Sequence, residues 1–174
     1  MLIKEVKIMK PLAVVIPLLF AVATAPGIAG GVLNETNLSL ALANKLAQGA
    51  VQTCSANNYQ VAVTVVDRAG VVKAAQRMDN AGPHTVEASR MKAYTALTTK
   101  NTTENVMKSA QSNAGAENLR DIPGFLLLAG GVPVKVGEQT IGAIGVGGAP
   151  GGHLDQQCAL AAIENVKAEL QPIK

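Results

Sequence analysis

The sequence is poor in aromatic residues. It contains no tryptophan, two tyrosines and two phenylalanines among its 174 residues, and one of the phenylalanines, Phe20, lies in the N-terminal apolar stretch. Proteins that bind single-stranded nucleic acid stack the bases on several aromatic side chains. Three scattered rings do not make such a platform, so the sequence does not predict a nucleic-acid-binding protein.

Long hydrophobic runs are also scarce, and the one near the N-terminus predicts an export signal. Three lysines precede an uncharged, mostly apolar stretch over residues 11–25, shorter than the roughly 20 residues that a membrane span needs. Small residues follow, and cleavage after Ala29 fits a secretory signal. We expect residues 1–29 to be a signal peptide and residues 30–174 to form one domain, periplasmic or secreted and without a membrane anchor. An uncleaved anchor is the alternative.

Positive charge is scarce outside that leader. The whole chain has a formal charge of +3, and residues 1–29 hold Lys4, Lys7, Lys10 and Glu5, so the remainder carries +1. A protein with so little net charge has no basic field to attract nucleic acid.

Cysteine is limited to Cys54 and Cys158. Two cysteines are too few for a cysteine-ligated metal site. In an exported chain they can form a disulfide, or they can be two buried thiols on apolar helix faces. The sequence leaves both readings open.

Hydrophobic periodicity predicts an α+β domain. Asn34 or Thr36 can cap the first helix, and short turns join most of the strands, which makes the sheet antiparallel. We expect a sheet of about five strands flanked by helices. The predicted helices cover residues 33–57, 84–98, 102–112 and 153–170, and the predicted strands cover 60–66, 71–78, 140–146 and two short segments within 124–136.

A loop with six glycines, "GAIGVGGAPGG" at residues 142–152, lies between the last strand and the last helix. Its backbone N–H groups before a helix can bind a phosphate or contact a flat ligand. No Gly-Lys-Ser or Gly-Lys-Thr follows, so this is not a P-loop. An ordinary strand-to-helix turn is the alternative.

The second candidate is the helix "HTVEASRMKAYTALT", residues 84–98. His84, Ala88, Met91 and Thr95 fall on one face at helical spacing, where an imidazole, a thioether and a hydroxyl surround a small residue. A flat ring can approach such a face closely. The alternative is that His84 caps the helix and the other residues belong to the core.

No catalytic constellation is present in the pattern. The chain has two histidines, His84 and His153, and no serine in a Gly-x-Ser-x-Gly context. Asp67 and Asp79 are conceivable as an acid–base pair, but Asp67 is more simply a turn former. The residues therefore do not predict an enzyme.

Three stretches together resemble the GlcG/HbpS family of haem-binding proteins, which also occurs as the C-terminal domain of PduO-type corrinoid adenosyltransferases. They are "VTVVDRAGVVKAAQRMDNAGPHTVEASRMKAYTA", "IPGFLLLAGGVPV" and "IGAIGVGGAPGGHLDQQCALAAI". Each is weak alone, but their order and spacing carry the resemblance from about Leu38 to Leu170.

This resemblance implies a profilin-like α/β/α arrangement and assembly into dimers or larger homo-oligomers. It implies haem as the cofactor, with a corrinoid as the other possibility, and His84 as the ligand of the haem iron. The positions that it places around the ligand are His84, Met91, Lys92, Thr95, Gly131, Pro133, Gly147 and Gly148.

We therefore expect an exported haem-binding protein that acts in haem binding, transport or sensing. The alternative is an enzyme accessory or small enzyme acting on a corrinoid or on a small hydroxy acid or diol. A third hypothesis, compatible with the first, is a structural oligomer built through alanine-rich helices.

Overall fold

Each helix and most strands form where the hydrophobic pattern predicts them. The computed structural model describes residues 31–171, so the predicted signal peptide lies outside the described residues. In chain order the elements are α1 (Leu40–Ala56), β1 (Ala62–Asp67), β2 (Val72–Arg77), α2 (Thr85–Thr99), α3 (Thr103–Ser112), a 3₁₀ helix (Ala114–Asp121), β3 (Gly131–Val136), β4 (Gln139–Gly147), α4 (Gly152–Asn165) and a second 3₁₀ helix (Lys167–Glu169).

The four strands form one antiparallel sheet in the order β2-β1-β4-β3. Helices α1 and α4 pack together against one face, where Val65, Ile144 and Val132 lie side by side on neighbouring strands. Helix α2 packs on the other face, because Ser89 bonds to Thr64, which alternates with Val65 along β1. The predicted α+β class and its helix–sheet–helix layers are confirmed.

Within residues 31–171 the sheet has four strands where about five were predicted, because the segment before Gly130 is not a strand. The N–H of Leu126 donates to Oγ1 of Thr95 in α2, and the N–H of Phe125 donates to the carbonyl of Ile122. These donors are satisfied by a side chain and a local turn, so they are not available to a neighbouring strand.

Two helix ends differ from the prediction. Helix α1 begins at Leu40, and Oγ of Ser39 accepts the N–H of Leu42, so the predicted caps Asn34 and Thr36 are wrong. The chain before Ser39 is extended, and Asn37 uses its side-chain oxygen to accept the N–H of Arg68 in the β1–β2 turn. Helix α4 ends at Asn165, five residues earlier than predicted, and gives way to the 3₁₀ turn.

A disulfide joins the two helices on the first face. Cys54 of α1 and Cys158 of α4 are bonded, with their Cα atoms 5.6 Å apart, and both are buried in the larger apolar core. Of the two readings of the sequence, the structure has the disulfide. Within residues 31–171 no helix is both long enough and apolar enough to cross a bilayer.

On the second face the backbone of α2 lies directly against the sheet. A Cβ atom added at Gly145 would overlap the carbonyl oxygen of Ser89, and one added at Gly131 would overlap that of Lys92. Gly131 and Gly145 are paired neighbours on β3 and β4. Side chains larger than glycine at these two positions would move the helix away, so this layer has little room for aromatic residues.

Candidate functional site

The structure brings the two candidate motifs of the sequence together at one end of α2. A Cβ atom on Gly147, where the glycine loop begins, would lie 3.5 Å from the carbonyl oxygen of Thr85 and 3.6 Å from Cβ of Ala88. Thr85 follows His84 directly. The first turn of α2 and the start of the glycine loop are therefore in contact, as a shared ligand site requires.

His84 occupies the N-cap position of α2 and is exposed. Its imidazole lies over Gly82, where an added Cβ would come within 3.0 Å of Nδ1. Its side chain makes no capping hydrogen bond to the helix. The imidazole of His84 therefore does not cap the helix.

A groove of about 240 Å³ lies beside this end of α2, between the helix and strands β1 and β2. Its apolar rim includes Val86, which is 43% exposed. Its polar base is closed by the 2.7 Å hydrogen bond between the hydroxyls of Thr64 and Ser89. The guanidinium of Arg77, which also lines the groove, donates to the carbonyl of Ala81 in the loop leading to His84.

Lys92 lies inside the protein. Its Nζ is 2.8 Å from Oδ2 of Asp155 in α4 and 2.9 Å from the carbonyl oxygen of Val146, and the two side chains are 1% and 4% exposed. The other carboxylate oxygen of Asp155 accepts the N–H of Ala149 in the glycine loop. Burial raises the pKa of the Asp155 carboxyl, while Lys92 and the loop N–H groups act in the opposite direction.

The remaining predicted site residues differ in how accessible they are. Oγ1 of Thr95 is enclosed, because it donates to the carbonyl of Met91 and accepts the N–H of Leu126. Contact of any of these residues with a ligand stays a prediction. In the structure His84 and Gly148 are exposed, Met91 and Pro133 are half-buried, and Lys92, Thr95, Gly131 and Gly147 are buried.

Sequence reasoning missed Asp155, which connects the glycine loop to Lys92. The sequence carried a signal for it, because Asp155, Cys158 and Ala162 recur at helical spacing on one face of the helix. In the structure all three are buried. A single carboxylate on the apolar face of a helix is rarely buried without a charged partner. Among residues 31–171 no group of three or more histidine, cysteine, aspartate or glutamate side chains is arranged to hold a metal ion.

Fold and site together define a small α+β domain with an exposed histidine at the start of α2 and an apolar groove along the same helix. Residues 38–164 match the family model described as "Haem degrading protein HbpS-like". The chain belongs to this HbpS-like family, which confirms the resemblance drawn from the sequence.

Two curated relatives agree with this membership. Protein GlcG of Escherichia coli is 34% identical over 109 residues, which are 63% of this chain and 80% of that protein. A 15.0 kDa protein from the dhaT-dhaS intergenic region of Citrobacter freundii is 32% identical over 126 residues, covering 71% of this chain and 87% of its own.

Solved structures have the same fold. The crystal structure of HbpS superposes with a TM-score of 0.75 at 37% identity, over 82% of this chain and 99% of that one. Protein ORFY of Klebsiella pneumoniae has a TM-score of 0.75 at 29% identity, over 80% and 97%. The PduOC:heme complex, at 24% identity, has a TM-score of 0.68 over 74% and 94%, a likeness that concerns the fold alone.

Proposed function

We propose that this protein is an exported haem-binding protein and that His84 is the ligand of the haem iron. The observation that carries the proposal is the exposed His84 at the start of α2, two residues before Val86, which lines an apolar groove. The family described as haem-degrading supplies the ligand class. Degradation is a reaction of bound haem, so binding is the first step to test.

The residues present fit haem. A neutral imidazole nitrogen is a common ligand of haem iron, and bound haem supplies that iron centre within a planar macrocycle. The guanidinium of Arg77 is suited to a propionate, and the apolar rim around Val86 is suited to the macrocycle edge. The family description names haem and not a corrinoid, so the proposal does not extend to the alternative cofactor.

The groove is too small to enclose a macrocycle alone. Its volume of about 240 Å³ lies below the roughly 300–1,000 Å³ of pockets that bury drug-sized ligands. Strand β2 is also an edge strand with one unpaired side. We propose that a second copy of the chain covers the exposed side of the haem, which makes the protein a dimer or a larger homo-oligomer.

Export is part of the same proposal. The predicted signal peptide directs the chain out of the cytoplasm, and the Cys54–Cys158 disulfide is suited to an oxidising compartment. A periplasmic or secreted haem-binding protein would act in haem transport or sensing. An enzymatic or accessory role stays the alternative prediction.

Haemin titration followed by the Soret absorbance tests ligation. The wild-type protein should show a saturable Soret shift, and His84→Ala should weaken binding or alter the spectrum of the bound haem. His153→Ala is a matched control, because His153 is also exposed at a helix start and its ring also lies over a glycine two residues earlier. No saturable shift in the wild type would overturn haem binding, and identical spectra of wild type and His84→Ala would overturn ligation by His84.

Light scattering on size-exclusion fractions tests assembly. Val86→Glu places a charge on the apolar rim of the groove and should weaken both haem binding and association. His84→Ala should leave association of the haem-free protein unchanged. A wild-type protein that stays monomeric with and without haemin would contradict the shared site.

A further inference from the structure

The loop that leads from β2 to His84 is held by a side chain of the strand before it. Arg77 is the last residue of β2, and its Nη2 donates to the carbonyl of Ala81, four residues further on. The N–H of Ala81 donates to the carbonyl of Met78 at 3.0 Å, which closes a tight turn. Ala81 itself is 2% exposed. Both polar groups of Ala81 are therefore bonded, and the turn is fixed to the end of β2.

The bond from Arg77 to Ala81 has no competitor in the described part of the chain. Within residues 31–171 no other donor bonds to the carbonyl of Ala81. Over the same residues Arg77 forms no ion pair with a carboxylate. Hydrogen bonds from a charged donor are stronger than those between neutral groups. Loss of the guanidinium would therefore leave this carbonyl without its protein donor and would loosen the turn.

The imidazole of His84 packs on the residue that follows Ala81. A Cβ atom added at Gly82 would lie 2.8 Å from Cε1 and 3.0 Å from Nδ1 of His84, so the ring lies over the Gly82 backbone. The carbonyl of Gly82 accepts the N–H of Thr85 at 3.0 Å and the Thr85 hydroxyl at 2.6 Å. Thr85 is buried at the start of α2. Gly82 is thus held between Ala81 and Thr85, and its position sets that of the imidazole.

Arg77 lies on the face of the sheet that α2 covers. Ala75 is paired with Thr64, whose hydroxyl bonds to Ser89 of α2, and Arg77 is two residues further along β2 on the same face. Its side chain is exposed and also lines the groove beside α2. A guanidinium has five N–H donors in a fixed fork. The bond to Ala81 uses one of its nitrogens, so Arg77 belongs both to the groove and to the loop that carries His84.

We infer that Arg77 positions His84 for ligation of the haem iron and that it acts through the carbonyl of Ala81. The inference rests on the proposed function, in which His84 is the ligand. The bond orders the loop before haem arrives, so less binding free energy is lost in ordering it afterwards. Arg77 is in this sense a positioning residue. Direct contact of the guanidinium with a propionate is a different role, and the experiments separate the two.

Haemin titration of Arg77 variants tests the inference. Arg77→Met keeps an unbranched apolar side chain and removes the donors, so it should weaken haemin binding by about fivefold or more. At saturation its spectrum should contain a fraction with the Soret band of His84→Ala. Arg77→Lys restores a charged donor and should recover most of the affinity. Arg90→Met is the control, because the Arg90 guanidinium bonds to Glu87 within α2 and should not affect haemin binding.

Two comparisons distinguish positioning from contact with a propionate. Haemin dimethyl ester has no propionate carboxylates, so a positioning residue should give the same ratio of wild-type to Arg77→Met affinity for the ester as for haemin. In a double-mutant cycle, Arg77→Met should cost little further affinity once His84 is alanine, because both changes act on the same iron ligand. A loss confined to haemin, or additive losses in the cycle, would show direct contact and overturn the inference.

Hydrogen exchange on the haem-free protein, read by mass spectrometry, tests the loop itself. Amides of residues 78–84 should exchange faster in Arg77→Met than in the wild type, while those of α1 and α4 stay unchanged. A general loss of stability would raise exchange in all of these segments. Unchanged exchange in the loop, or equal haemin affinity and spectra of wild type and Arg77→Met, would overturn the inference. A wild type that binds no haemin would overturn the proposed function, and the exchange data would still decide whether Arg77 orders the loop.

Discussion

Nζ of Lys92 lies 2.8 Å from Oδ2 of Asp155, although the two residues belong to helices on opposite faces of the sheet. Gly130 makes this contact possible, because a Cβ there would lie 2.9 Å from both Nζ of Lys92 and Cβ of Asp155. The ion pair therefore joins the two outer layers near the end of β4 and fixes the glycine loop through Ala149.

Breaking this pair should strongly destabilise the fold. Lys92→Met leaves the Asp155 carboxylate buried without its cation, and we expect the free energy of unfolding to fall by about 3–5 kcal/mol. Urea unfolding followed by circular dichroism measures it. Lys167→Met removes a lysine from the exposed pair with Glu164 and should change stability by about 0.5 kcal/mol or less. Similar losses in both variants would contradict the structural importance of the buried pair.

Close packing of α2 on the sheet predicts that alanine is destabilising at Gly145 and tolerated at Gly147, two glycines of β4. Gly145→Ala should destabilise the protein by about 3 kcal/mol or more, because its Cβ would overlap the backbone of Ser89 and force α2 outward. Gly147 lies two residues further along the same strand. A Cβ added there would have its nearest neighbour, the carbonyl oxygen of Thr85, at 3.5 Å, an ordinary contact distance. In thermal unfolding, the midpoint of Gly145→Ala should lie below that of Gly147→Ala. Equal midpoints would contradict the close approach of α2 to the sheet.

The disulfide should contribute measurably to stability. Cys54 and Cys158 are 104 residues apart, and we expect the paired change to serine at both positions to lower the free energy of unfolding by about 2–4 kcal/mol. Reductant should lower the urea midpoint of the wild type and leave that of the double variant unchanged. A thiol assay on unfolded, unreduced wild-type protein should find no free thiol, and two free thiols would contradict the bond.

One surface pair predicts a small pH dependence near the proposed haem site. The hydrogen bond from Arg90 holds the pKa of Glu87 below its usual value of 4.5. A carboxyl with a lowered pKa stabilises the folded state above pH 4.5, and this contribution is lost as the pH falls through the folded-state pKa. Glu87→Gln should therefore cost about 0.5 kcal/mol or less near pH 7, because the pair is exposed, and progressively less as the pH falls through the lowered folded-state pKa of Glu87. A loss that grows on acidification would contradict this assignment.

The periodicity of the sequence predicted most of the helices and strands of this fold, and the family resemblance implied their arrangement in layers. "VAVTVVD" alternates as a strand should, and the run starting at His84 is helical in both sequence and structure. Apart from the predicted strand before Gly130, which did not form, the errors fell at the ends of elements, where tertiary contacts decide. Asn34 and Thr36 were predicted to cap the first helix, but Ser39 caps it, and Asn37 just before it accepts the N–H of Arg68, 31 residues away.

The candidate site was predictable only in part. Contact between the first turn of α2 and the glycine loop followed from the family resemblance, and the structure has it. The pairing of Lys92 with Asp155 spans 63 residues, and no local pattern identifies two such residues as partners.

The bond between Cys54 and Cys158 closes most of the domain into a covalent ring that includes all four strands as well as α2 and α3. A single cut by a protease anywhere between these two residues would open the ring without separating the pieces. The nicked protein would migrate as one species until it is reduced, so the domain would stay a connected molecule after an isolated cleavage.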